Sequence, residues 1–314
     1  MRLIKSNTSI DFIGKGRYAV IVSAIVLLVC CVSLGIGKLS FGIDFTGGVV
    51  VHVQYPHEVS LNKVRSALSS AGYAQPTVQH FGSAETALIR LPASAGQEKA
   101  ASVGDKVMNA LKSGPPGAKL QSVEFVGPQV GSDLVNKGGL ALLYTVIAIL
   151  IYVIFRFHWK LATGAVAALV HDIVITLGVF SLTHMDFDLT VLAALLAVLG
   201  YSLNDTIVVY DRIRENFRRM RKATPKEVAN AAINQTLART LMTSGTTLMT
   251  LLALFFLGGP VIHGFAAALL VGIITGTYSS IFVASALALY FKLSAQDLFP
   301  PKEEDAAKAA KVTR

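Results

Sequence analysis

Six stretches of this 314-residue chain are apolar over a length that a lipid bilayer requires, and no other feature restricts the fold as strongly. A spanning helix needs about 20 largely apolar residues. The stretches fall at 18–37, 138–156, 161–182, 189–210, 237–257 and 264–290. Hydrophobic residues make up 53% of the chain and charged residues 15%, too apolar a balance for an ordinary soluble protein. The first stretch follows Arg2, Lys5, Lys15 and Arg17, as a secretory signal would. Its apolar run is longer than a signal core and ends in "GIGKLSFG" without a small-residue cleavage site, so it reads as a retained anchor.

Charge sets the expected orientation. Arg156 and Lys160 flank the second loop, and Arg212, Arg214, Arg218, Arg219, Arg221, Lys222 and Lys226 follow the fourth span. The stretches "THMDFDL" and "GGPVIHG" carry no Lys or Arg. The positive-inside rule then puts both termini in the cytoplasm and exports residues 38–137 as one loop. The expected division is a cytoplasmic N-terminus at 1–17, the first helix at 18–37, an exported domain at 38–137, five further helices within 138–291 with a cytoplasmic basic loop at 211–236, and a cytoplasmic tail at 292–314. The net charge of +9 is thus assigned to orientation, with no nucleic-acid partner expected.

The exported segment reads as a folded α+β domain. "IDFTGGVVVHVQY" predicts a strand, and "LNKVRSALSSAG" puts Leu61, Val64 and Leu68 on one helical face. "PTVQHFG" and "TALIRLP" predict two strands joined at Gly82–Ser83. "EKAASVGDKVMNALKSG" predicts a helix ending at Gly114, and "AKLQSVEFVGP" a last strand. The order is βαββαβ, that of ferredoxin-like domains. His52, His57 and His80 have no metal-like spacing, Cys30 and Cys31 are adjacent in an apolar run, and no nucleophile–base set or phosphate loop is present. No metal, cofactor or enzymatic activity is expected.

The chemistry is expected inside the membrane. Asp205 and Asn204 interrupt the apolar "AVLGYSLNDTIVVYDRIREN", where an aspartate costs roughly 2.5–3.5 kcal/mol at the helix centre. Asp205 falls about 24 Å from the outer end of its span at 1.5 Å per residue. The fifth span returns antiparallel and brings Arg239 to a similar depth, so the two are expected to face each other. A carboxyl that meets a guanidinium in one conformation and leaves it in another takes up and releases a proton. A static ion pair that locks the helices is the competing reading. Arg239, Thr243, Thr246 or Thr247, and Thr250 form a polar stripe suited to water or to interhelical hydrogen bonds. His171 and Asp172, near mid-membrane in the third span, point about 100° apart and are expected only to support the same polar core.

Two further segments read as packing and surface elements. Gly264, Ala268, Gly272, Gly276, Ser280, Ala284 and Ala288 form a small-residue ridge for close helix approach. After the basic run, Thr224 and Glu227 fit a capping box opening a helix expected to lie on the surface near anionic membrane lipid.

"FGIDFTGG" (41–48), "GPQVG" (127–131), "GYSLNDTIVVYDRIREN" in span four and "NQTLARTLMTS" opening span five, in this order, resemble the SecF branch of the SecD/SecF family. That family lies in the resistance-nodulation-division superfamily. The resemblance implies a subunit of the bacterial inner (cytoplasmic) membrane with a periplasmic domain. It implies SecD as partner, assistance to the SecYEG channel, and use of the proton gradient to complete preprotein export. It also implies that Asp205 and Arg239 belong to a proton path whose further acid lies in SecD. The basic N-terminus leading directly into the first span suggests a free-standing chain rather than a SecD–SecF fusion. A proton-driven exporter of small molecules or lipids, and a passive scaffold that clamps a channel, are the alternatives.

Overall fold

A computed structural model describes residues 9–73, 76–91 and 100–299. Six helical rods are long and apolar enough to cross a membrane. They are α1 (Gly16–Ile36), α5 (Pro128–Arg156), α6 (Trp159–Thr183), α7 (Leu189–Arg219), α8 (Pro225–Leu257) and a sixth that combines α9 (Pro260–Ser279), a π-helical segment (Ser280–Ala284) and α10 (Ser285–Tyr290). A short α11 (Ala295–Leu298) follows, tied back to the bundle by the ion pair of Asp297 with Lys160 at 2.7 Å.

α6, α7 and the sixth rod form the interior. Gly272 lies against Val198 of α7 so closely that an added Cβ would overlap it, and Gly276 lies against Ser202 with room for a Cβ only in tight contact. Gly264 meets Val191 in the same way, so the predicted ridge packs on α7. α1 seats on α6 through Cys30 against Gly178 and the Ser33–Ser181 hydroxyl pair at 2.8 Å. α1, α5 and α8 leave long apolar faces open, including Ile25, Leu28, Phe155, Met249 and Phe256.

At the basic end the helices run further than their apolar stretches. α7 continues to Arg219 and α8 begins at Pro225, so only a tight turn lies between them. The capping box at Thr224–Glu227 is present, but it opens α8 itself. The expected surface-lying helix is therefore the first three turns of a 33-residue rod, because nothing in "VANAAINQTLARTL" breaks helical geometry before the apolar run. Here Asn234 holds Ile10 twice, accepting its N–H at 2.9 Å and donating to its carbonyl at 2.8 Å. Asn230 accepts the Phe12 N–H at 2.8 Å. The segment leading into α1 is thereby pinned to α8.

The outer domain holds a four-stranded antiparallel sheet of β2 (Gly48–Gln54), β3 (Thr77–Phe81), β4 (Ser83–Leu91) and β5 (Lys119–Val126), in the order β3-β4-β2-β5. Helices α3 (Leu61–Ser70) and α4 (Ala100–Leu111) complete a βαββαβ chain order compatible with the ferredoxin-like arrangement. Val49, Val51, Val53, Ile89 and Leu91 pack on Val64, Leu68, Val107 and Leu111 as one core. The start of the expected helix, before Ala100, lies outside the described residues.

The strand expected from Ile43 begins later. Ile43–Thr46 coil into one turn, α2, and the chain reverses through Gly47 and Gly48 at φ 66° and 132°, which only glycine adopts readily. Before it, β1 (Ser40–Phe41) pairs in parallel with β6 (Asp186–Phe187) of the α6–α7 loop. Gly131 of "GPQVG" abuts the Gly47 N and the Phe45 carbonyl, where an added Cβ would come within 3.0 Å. Two of the quoted motifs are thus one joint between domain and bundle.

The second sheet face looks toward the bundle across a cavity of about 630 Å³. Arg90 on β4 bridges it to Asp186 at 2.7 Å, and Gln79 donates to the same carboxylate at 2.8 Å. Arg90→Ala strands a largely buried carboxylate, and hydrogen exchange in 183–188 is expected to rise about tenfold. Unchanged exchange there would show that the strap does not hold the domain. Also on this face, burial lowers the His52 pKa below its ordinary value, with Glu124 opposing weakly. At 3.9 Å the two are therefore no firm ion pair. A histidine held neutral binds fewer protons folded than unfolded, so the domain loses stability as pH falls through about 6.5. His52→Gln should flatten that acid limb in a thermal-melt series, and an identical limb in the variant would count against it.

Candidate functional site in the helix bundle

Asp205 sits on the inward face of α7 and is 4% exposed. Its Oδ2 is buried without a hydrogen-bond partner. The Thr240 hydroxyl of α8 lies beside it, also buried and also short of hydrogen-bond geometry. Arg239 is near enough to act electrostatically on the carboxylate, but it forms no ion pair among the described residues and is exposed. The expected face-to-face pair is therefore open. One residue separates the two roles on α8: Thr240 turns in and Arg239 turns out.

The polar stripe follows Arg239 outward. Thr243, Thr246 and Thr250 are exposed and Thr247 is half-buried. Each hydroxyl donates to a carbonyl of its own helix, such as Thr247 to Thr243 at 2.9 Å. The stripe thus forms no interhelical bonds with the described residues, contrary to one expectation. Asn204 is exposed on α7. These polar groups make a largely exposed seam on helices long and apolar enough to cross a membrane, whose interior offers no hydrogen bonds.

His171 and Asp172 do not join that seam. Despite pointing apart as sequence neighbours, their side chains bend together, with Nδ1 and Oδ1 3.0 Å apart. Asp172 is fully buried, and its Oδ2 accepts from Ser202 on α7 at 2.6 Å and from Ser279 on α9 at 2.8 Å. This cluster lies one helical turn from Asp205, since Ser202 precedes it by three residues. Sequence reasoning missed Ser202 and Ser279. Their signal was present in "GYSLND" and "TYSS", serines inside apolar spans, but in the second only the neighbouring Ser280 enters the reading, as part of a packing ridge. A separate chain of hydroxyls runs from Tyr201 through Ser244 to Thr277, at 3.4 and 2.8 Å.

Fold and site define a multi-pass membrane protein with one outer α+β domain and two buried carboxylates at mid-bundle. Residues 106–294 match the family described as "Protein export membrane protein SecD/SecF, C-terminal". The chain is 48% identical over 304 residues to the protein translocase subunit SecF of Vibrio alginolyticus, covering 96% of each. With that of Escherichia coli O157:H7 it shares 44% identity over 295 residues, covering 94% of this chain and 91% of the relative. Among solved structures it is similar to SecDF, a translocon-associated membrane protein from Thermus thermophilus, with a TM-score of 0.84 and 34% identity over 92% of this chain. It spans 40% of that longer chain. To SecDF in its super-membrane-facing form the TM-score is 0.68, with 34% identity over 99% of this chain and 41% of the other. The chain belongs to the SecD/SecF family of protein-export membrane proteins, on its SecF side.

Proposed function

We propose that this chain is an accessory, non-enzymatic subunit of bacterial Sec protein translocation that works with SecD and uses the proton gradient across the inner membrane. One observation carries the reading: the Asp205 carboxyl has an oxygen inside the bundle with no partner among the described residues, while Arg239, Thr243, Thr246 and Thr250 beside it are exposed. SecD is the partner that covers this seam. Ionised Asp205 draws Arg239 inward, and protonated Asp205 releases it, so the α7–α8 packing has two settings. One elementary charge moved through 100 mV supplies roughly 2.3 kcal/mol, enough to bias such a pair of settings more than tenfold. The outer domain, strapped to the α6–α7 loop by Arg90, follows the shift and acts on a preprotein emerging from the SecYEG channel.

In this reading both termini are cytoplasmic, which the basic residues at the α5–α6 and α7–α8 turns support. The test is proton flux in vesicles holding the SecD–SecF complex with the channel. Flux should accompany preprotein movement and cease with Asp205→Asn. Flux unaffected by the variant would leave a passive clamp, and labelled lipid or drug moving instead of preprotein would make the complex a small-molecule exporter.

A further inference from the structure

The interior holds a second ionisable centre that the Asp205 site does not use. Asp172 has no exposed surface, and His171 is its only ion-pair partner among the described residues. The imidazole is itself 4% exposed and its Nε2 is buried with no hydrogen-bond partner. The ring stacks on Tyr278 at 6.1 Å between centroids, and Tyr278 in turn donates to the Ala19 carbonyl of α1 at 2.7 Å and meets Ser23 at 3.0 Å.

The proton count of this pair decides its cost. When Nδ1–H donates to an ionised Asp172, no donor is left without an acceptor and Nε2 is only a bare lone pair, but one negative charge is buried with no cation beside it. When one more proton is bound, at Nε2 or shared with Oδ1, the pair becomes neutral overall, but an N–H is left with no acceptor. Each state relieves the defect of the other and creates its own. Such a pair is poised to load and unload a single proton.

Among the described residues the nearest further carboxyl group is Asp205, one turn along α7, and no cation lies against the pair. From α7 the cluster meets Ser202, with Tyr201 and Asp205 within a turn. From α9 it meets Ser279 and Tyr278, and from α1 Ser23, with Cys30 further along against Gly178. The π segment and α10 add only the Ser280 and Ser285 hydroxyls. Arg156, where α5 meets α6, is held by Asp211 at 2.7 Å at the far basic end.

We propose that His171–Asp172 is a second proton-loading site, and that its charge state sets the clasp of α6, α7 and α9. The ionised carboxylate gathers hydroxyls from both neighbouring helices on one oxygen. Neutralising it weakens both bonds, which are stronger to a charged acceptor. The contact loosened is the one between Ser202 and Gly276, where even an added Cβ on the glycine would come within 3.0 Å of the serine. Ser202 is carried on the same face of α7 as Asp205, so loading here repositions the first site. A π segment begins at Ser280, directly after Ser279, a form of helix frequent at functional sites.

The proposal stands apart from the role given to Asp205, and its test is made with that residue removed. The full-length Asp205→Asn chain in lipid nanodiscs is titrated between about pH 5 and 9 and followed by infrared difference spectroscopy of the protonated carboxyl C=O band. One titrating band is expected to remain. It should vanish with Asp172→Asn, and its midpoint should move by a unit or more with His171→Gln and measurably with Ser202→Ala. If Asp172→Asn does not assemble, the His171→Gln midpoint decides, because a brace without proton exchange has no midpoint to move. A flat Asp205→Asn spectrum, or a band indifferent to His171→Gln, would overturn the proposal.

Discussion

Asp205→Asn is expected to abolish gradient-stimulated export while leaving the protein in the membrane and assembled. Asparagine matches the carboxylate in size and, like the protonated acid, carries no charge, so the packing of α7 on α8 and α9 has no reason to change. What disappears is the ionised state, and with it the attraction proposed above to draw Arg239 inward. A loss of at least tenfold in the gradient-dependent part of preprotein movement follows from the ~2.3 kcal/mol that one charge gains per 100 mV. Movement driven by ATP alone should persist. Export in vesicles, measured with and without an imposed gradient, separates the two parts. Equal stimulation in variant and parent would remove Asp205 from the mechanism.

The second large effect is expected at Gly272. An added Cβ would overlap the Val198 side chain of α7, and a leucine there has no space between two of the three most buried rods of the bundle. Overpacking of this kind costs about 1–3 kcal/mol for small insertions and more where backbones must separate. Gly272→Leu should lower the melting temperature in detergent by many degrees and reduce assembly with SecD. Gly245→Ala, at a position with open space around it, is the matched control and should change little. A Gly272→Leu protein that melts with its parent would mean that α7 and α9 do not rely on this contact.

The sequence made the spans, the βαββαβ order and the close-packing ridge legible because each follows from a short-range pattern. Apolar length marks a rod, alternation marks a strand, and glycine every fourth residue marks a seam. Helix ends were less legible, since α5 and α7 extend through polar residues that favour helix as much as the apolar ones do. The candidate site was visible one residue at a time. Asp205, Arg239, His171 and Asp172 all announced themselves as charge in apolar surroundings, but their grouping depends on helix rotation. Two residues of α8 that differ by one position face opposite ways, and Ser279 reaches Asp172 from a span more than a hundred residues away. No local spacing encodes that meeting.

Asn234 holds Ile10 by both its amide and its carbonyl, as an adjacent strand would, and Arg239 lies little more than one turn further along the same helix. A displacement of that helix therefore tugs directly on the leading segment of the polypeptide, and through it on the anchor that seats against α6. Two rods at different positions in the bundle are linked as a pulley links its loads, and severing the Asn234 cord would leave the first of them idle while the other still moved.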